Sequence, residues 1–291
     1  MPSLKDIRIR IESTKNTQQI TKAMKLVSAA KLRKAQQQIV NVRPYARSLL
    51  KVIANIAVTN KVNHPLLSPH ENTKKVLLIV LTSDRGLCGA FNSNINKYTE
   101  TFYQKNKSVY ETLDFLFIGK RATDYFARRG IKAIDVITRL DKDVSYALAS
   151  KVAEKIMKDF LDGSYDEIQI IYNEFKSAIS QKVIAEVLLP IDISKQSLSD
   201  GNDSDNSQDM IFEPEPEKII EQLLVKHFSV QVYRCMSESV AAEHGARMSA
   251  MENATNNARD VLNKLTLTYN KLRQEKITTE LTEIVSGAEA L

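Results

Sequence analysis

Apolar or small residues recur at Leu32, Ala35, Ile39, Val42, Ala46, Leu49, Ile53 and Ile56, in steps that alternate three and four. That period is the seam of a helix packed along a partner helix. Ile20, Met24 and Val27 carry the same step further upstream. The phase slips by one residue between Val27 and Leu32, which would locally change the supercoil. Residues 3–60 contain no glycine and one proline, Pro44. Pro44 removes a backbone donor and is expected to kink the helix without ending it. At ~1.5 Å per residue the helix would be roughly 85 Å long.

The pattern returns near the other end, at Met248, Met251, Thr255, Ala258, Leu262, Leu265, Tyr269 and Leu272, in a stretch from 218 to 291 without proline. Pro214 and Pro216 precede it as start signals. This helix would run roughly 100 Å. Such lengths cannot be buried in a domain of this size, and sustained heptads imply a coiled coil. With one such helix at each end, the simplest arrangement pairs them antiparallel, with the middle of the chain as a lobe. Seam positions such as Ala35, Ala46, Thr255 and Ala258 allow close approach but bury little apolar surface. A pair this thin calls for other protein around it.

Between the helices the pattern changes. Lys75–Leu81 is a short, near-continuous apolar run that suits a buried strand. A helix is predicted over 92–105, a strand over 113–118, and a helix over 122–129 stopped by Gly130. A strand follows at 134–137, then a helix over 145–161 stopped by Gly163. Strands at 167–172 and 183–189 read as a hairpin pair. The alternation predicts a largely parallel sheet flanked by helices. The segment 197–209, rich in Ser, Asp and Asn, reads as an acidic loop.

Composition sharpens this picture without redirecting it. The 291 residues are 43% hydrophobic and 26% charged, as in globular proteins. Eight glycines and seven prolines are too few for a loop-rich all-β fold. Cys88 and Cys235 cannot form a disulfide framework and suit a reducing compartment. No run approaches the ~18 apolar residues of a membrane span, and the opening residues lack an apolar signal core.

Charge is unevenly placed. Residues 1–60 hold twelve Lys/Arg against two Asp/Glu, whereas residues 199–217 hold seven Asp/Glu and no Lys/Arg. A basic first helix suggests an acidic partner: nucleic acid, anionic lipid or an acidic protein surface. Residues 1–44 contain no aromatic side chain to stack on bases and no nucleic-acid-binding signature, which favours protein.

The turn from Thr82 to Asn92, between a strand and a helix, is the one candidate for phosphate chemistry. It has neither the Lys-Ser/Thr of a P-loop nor the glycine spacing of a dinucleotide site. A structural turn with Asp84 and Arg85 in ion pairing is the expectation. Cys88 needs a base that the sequence does not place beside it. His64, His70, His227 and His244 form no metal-binding spacing. No catalytic residue, metal ligand or cofactor-binding residue is assigned.

Both ends carry a family resemblance. Ile11 to Ser28 and Ala30 to Gln36, the turn from Ser83 to Asn92, Ala246 to Met251, Tyr269 to Gln274, and above all Ile277 to Ala288 resemble the γ subunit of bacterial F-type ATP synthases, the central rotor shaft. The resemblance implies an α/β fold: a long antiparallel coiled coil of N- and C-terminal helices plus a central Rossmann-like α/β lobe. It implies a division into 1–62 (N-terminal helix), 63–196 (lobe), 197–217 (acidic loop and foot) and 218–291 (C-terminal helix).

It also implies a non-catalytic subunit without cofactor, partnered by α, β and ε and by the c-ring, and a peripheral location on the cytoplasmic face of the bacterial membrane. Met24, Lys25, Arg247, Gln274, Thr278 and Glu280 are its expected contacts with β, and Met210, Phe212 and Glu213 its expected foot on the c-ring. Gly245 stands where the family has alanine, at ~1 kcal/mol of helix propensity. The alternatives are a coiled-coil nucleic-acid-binding protein and a small α/β nucleotide enzyme using the Asp84–Asn92 turn.

Overall fold

A computed structural model describes residues 3–59, 64–68, 73–138, 144–177, 180–191 and 216–289. Among them, helix α1 spans Leu4–Thr59 and helix α5 spans Pro216–Glu289. Between lie β1 (Lys75–Leu81), α2 (Phe91–Asn106), β2 (Thr112–Ile118), α3 (Lys120–Ala127), β3 (Asp135–Ile137), α4 (Tyr146–Leu161), β4 (Glu167–Phe175) and β5 (Gln181–Leu189). Helix α1 passes through Pro44 unbroken. Gly130 and Gly163 adopt positive φ just past α3 and α4, as helix-stopping glycines do. The chain divides into two compact units, Met1–Ala29 with Arg247–Leu291, and Ala30–Ala246, so each long helix belongs to both.

The Ala30–Ala246 unit is built on a five-stranded sheet of order β3-β2-β1-β4-β5. The first four strands in that order are parallel, and β5 returns antiparallel to β4, which realises the expected hairpin. Every residue of β1 after Lys75 is buried, as a central strand covered on both faces requires. The pleat sends alternate side chains to two cores. Leu77, Ile79 and Leu81 join Ile156 and Phe160 of α4, Ile53 and Ile56 of α1, and Leu224, Phe228 and Val232 of α5. Leu78 and Val80 join Phe115, Phe117, Phe91, Ile95 and Phe126 on the other face. Phe117 and Phe126 stack at 5.2 Å between centroids.

Helix α5 is therefore buried nearly all round from His227 to Ala246, unlike a surface helix with one apolar stripe. Gly245 is among those buried positions. On α1, Leu32, Ala35, Ile39, Ala46, Leu49, Ile53 and Ile56 are all buried, as the heptad pattern requires. Among the described residues no helix is long and apolar enough to cross a membrane.

Candidate partner-contact surface

The other unit consists of the start of α1 and the end of α5. The hydroxyls of Thr21 and Thr255 lie 2.8 Å apart in a buried hydrogen bond. One turn further along α1, Lys25 Nζ donates to Glu252 Oε1 at 2.8 Å. Rising numbers on α1 meet falling numbers on α5, so the pair is antiparallel. Met251, Thr255 and Ala258 are buried, and Leu262, Leu265, Tyr269 and Leu272 are half-buried. Continuing the register places Leu272 opposite Leu4, where α1 begins. From Arg273 to Gly287 every residue is exposed, because α5 has outrun its partner.

The seam on α1 corrects the sequence reading. Ile20 and Val27 are 60% and 58% exposed and face away from α5. The seam runs through Ile7, Ile11, Thr14, Gln18, Thr21, Lys25 and Ser28, all buried or half-buried, and continues in phase into Leu32, with half-buried Leu4, Met24 and Ala29 beside it. There is no phase slip. Hydroxyl-bearing side chains occupy seam slots next to the apolar ones; Thr21 and Thr255 bond each other across the seam and also reach carbonyls of their own helices, Gln18 at 3.0 Å and Met251 at 2.7 Å. The apolar Ile9, Ile20 and Val27, spaced eleven and seven, share an outward face.

The six expected β-contact residues do not form one cluster. Met24 and Lys25 sit beside Glu252, Met24 half-buried and Lys25 with its head ion-paired. Arg247 is buried. Gln274, Thr278 and Glu280 lie on the unpaired end of α5, roughly 33–42 Å beyond the Glu252 level at the helical rise. Gln274 and Thr278 are four residues apart on one face, and the Thr278 hydroxyl bonds the Gln274 carbonyl at 2.9 Å. Glu280 points elsewhere and pairs with Lys276 at 3.6 Å. Met210, Phe212 and Glu213, with the acidic loop 197–209, lie outside the described residues.

The segment Ile277 to Ala288, on which the family resemblance rests most strongly, holds at that end of α5 four apolar residues that are not among the expected contacts. Ile277, Leu281, Ile284 and Val285 are 46–68% exposed at the i, i+4, i+7, i+8 spacing of an apolar stripe. The periodicity was there to be read. Only the end of the partner helix decides that the stripe faces none of the chain's described residues.

The Thr82–Asn92 turn is a closed structural unit. Its neighbour α3 begins with three N–H groups that this turn satisfies: Lys120 N bonds Asp84 Oδ1 at 3.2 Å, Arg121 N bonds the Ser83 carbonyl at 3.1 Å, and Ala122 N bonds Thr82 Oγ1 at 3.0 Å. Asp84 thus caps α3, whereas α2, the helix into which the turn leads, has no side-chain cap at Ala90. Gly119 must be glycine, since its φ is +105° and a Cβ would lie 2.1 Å from the Thr82 carbonyl oxygen. Asn92 donates from Nδ2 to Ser83 Oγ at 2.7 Å and to Cys88 Sγ at 3.1 Å, and accepts from Ser83 N at 3.0 Å. Cys88 is 1% exposed, as a packed structural thiol is. No group of three or more His, Cys, Asp or Glu residues suited to a metal occurs among the described residues.

Comparison with known proteins bears on what these surfaces serve. The model of a family described as ATP synthase matches residues 3–291. An ATP synthase gamma chain of Bdellovibrio bacteriovorus is 72% identical, over all of this chain and 99% of that one. Another of Anaeromyxobacter is 47% identical over the full length of both. A structure of the Euglena gracilis mitochondrial ATP synthase rotor superposes with TM-score 0.67 and 25% identity, over 94% of this chain and 98% of that one. The central stalk and c-ring structure from Tetrahymena thermophila mitochondria gives 0.60 and 27%, over 81% and 99%. Two long helices around a parallel-sheet lobe, full-length identity of this order and these superpositions agree, and the chain belongs to the ATP synthase gamma-chain family.

Proposed function

We propose that the chain is the central shaft of a proton-translocating ATP synthase, coupling c-ring rotation to the conformational cycling of the catalytic β subunits. The observation that carries this reading is the end of α5. Residues 273–287 are exposed on every side, yet Ile277, Leu281, Ile284 and Val285 are apolar. Enclosure by a ring of α and β subunits would give that stripe the cover that the described residues do not. The outward Ile9, Ile20 and Val27 support the same enclosure along α1.

Met24, Lys25, Arg247, Gln274, Thr278 and Glu280 would meet β at two levels of the shaft. A shaft needs contacts that break and re-form on the next subunit. Coupling is a difference in contact free energy among the three β states, not total affinity. The exposed Lys276–Glu280 pair suits this, since such pairs contribute little and exchange easily. Met210, Phe212 and Glu213 would form the foot on the c-ring, with ε beside the lobe. The functional division we adopt is 1–62, 63–196, 197–217 and 218–291.

The subunit would be non-catalytic, peripheral and on the cytoplasmic face. The family relationship displaces both the nucleic-acid and the nucleotide-enzyme alternatives. Addition of the purified chain to α and β subunits, followed by an ATPase assay, tests the proposal. Hydrolysis is expected from the mixture and not from the chain alone. Turnover by the chain alone would refute it.

A further inference from the structure

Within the Ala30–Ala246 unit, one carboxylate joins elements that are far apart in sequence. Glu238 of α5 is buried, its side chain 2% exposed. Its Oε1 accepts from Arg43 of α1 at 3.2 Å (Nε) and 3.1 Å (Nη2), and lies 3.5 Å from Arg234 Nη1. Arg43 Nη2 also reaches the carbonyl of Phe175, at the end of β4, at 3.5 Å. Arg234 Nη2 donates to Glu186 Oε1 on β5 at 2.6 Å, and its Nη1 to the Tyr172 hydroxyl on β4 at 3.1 Å. Tyr172 in turn donates to Glu186 Oε2 at 2.9 Å. Both long helices and both strands of the hairpin meet in this network.

Three features argue that the network sets position and is not there for stability. A buried ion pair is seldom more stabilising than apolar packing of the same volume. Glu238 moreover keeps Oε2 buried without a hydrogen-bond partner. The apolar contacts around it are non-directional, whereas Arg43 holds the single oxygen Oε1 through two donors, Nε and Nη2, which orients its guanidinium against Glu238. Finally, Arg43 immediately precedes Pro44, where α1 lacks a backbone hydrogen bond and is easiest to deform.

We propose that Glu238 is a positioning residue for rotary coupling: with Arg43 it pins the register of α1 against α5 and the β4–β5 hairpin at the weakest turn of α1. This rests on the shaft reading and adds to it the place where the two helices are locked. A slip of register there would let the catalytic subunits turn over while less of the rotation is transmitted.

The test uses the whole ATP synthase reconstituted in lipid vesicles, reading ATP hydrolysis and ATP-driven proton uptake together. For Glu238→Gln, hydrolysis is expected to persist while protons pumped per ATP fall about threefold or more, the scale at which a network residue shifts coupling. Arg43→Lys keeps the charge and loses the paired donors on Oε1, and is expected to give a smaller fall. Arg47→Ala, exposed on the rim of the same cleft, is expected to leave the ratio unchanged. If Glu238→Gln does not assemble, Arg43→Lys decides. An unchanged ratio in the assembled variants, whatever their yield or thermal stability, overturns the proposal. A wild-type complex whose pumping does not depend on this chain would instead overturn the shaft reading beneath it.

Discussion

Two stretches of the same helix differ more than many separate domains do. From His227 to Ala246, α5 is buried on almost every side, and its neighbours are the sheet, α1 and α4. From Arg273 to Gly287 it is exposed on every side and makes its described contacts within its own turns. Helix propensity and length do not separate them. The lesson is that a single continuous helix carries one segment whose apolar residues are covered by its own fold and another whose apolar residues are exposed. Burial of the first is a property of the chain, and on the reading proposed above cover for the second would come from an assembly.

Substitutions should divide along the same line. The largest effect belongs to the lobe: Phe117→Ala removes a ring that is 1% exposed and stacked on Phe126, and is expected to destabilise the isolated chain by about 3–5 kcal/mol in denaturant titration. Next is acid sensitivity. Burial, with Arg234 nearby, pulls the pKa of His227 down to about 4 from an ordinary 6.5, and its Nδ1 has no partner. Between those values the unfolded chain holds a proton that the folded chain excludes. Stability present above pH 6.5 is therefore lost as pH falls toward 4, by about 3 kcal/mol in full. His227→Gln is expected to flatten that dependence, and an equally steep pH profile in the variant would contradict it.

The helix pair should respond more weakly. Leu262 is half-buried, so Leu262→Ala is expected to lose roughly 1–2 kcal/mol, short of the ~2–5 of an enclosed leucine. Smallest is the threonine bond. Thr21→Val or Thr255→Val alone removes the bond across the seam but leaves the remaining hydroxyl on its own helix's carbonyl, and is expected to lose no more than about 1 kcal/mol, with the double variant close to either single one. A double-mutant cycle on thermal unfolding reads this directly.

How far the sequence anticipated the structure depended on where each residue's partner lies. The lobe's strands and helices were legible to within a few residues, because the pleat of β1 or the glycine stops at Gly130 and Gly163 act locally. The seam from Leu32 to Ile56 was legible because there apolar does mean inward. At Ile20 and Val27 that equation fails: the inward slots are Thr21 and Ser28, and the apolar neighbours face outward. A periodicity of apolar residues does not say whether the surface they form is covered by the same chain. The same limit hid the Ile277–Val285 stripe. The Glu238 network was invisible for a different reason. It depends on the 195-residue separation between Arg43 and Glu238 being closed by the fold, and no local pattern marks either residue.

The claim that the end of α5 is covered by an assembly is the one to test most directly. The native thiols make the measurement clean: Cys88 and Cys235 are buried, and burial pushes the Cys235 thiol up to about 12. A Leu281→Cys variant would carry the single exposed thiol among the described residues, and its alkylation rate can be followed in the isolated chain and in the complex with α and β subunits. The account predicts fast labelling of the isolated chain and labelling slowed about tenfold or more in the complex, as enclosure limits access. Equal rates in the two states would contradict it.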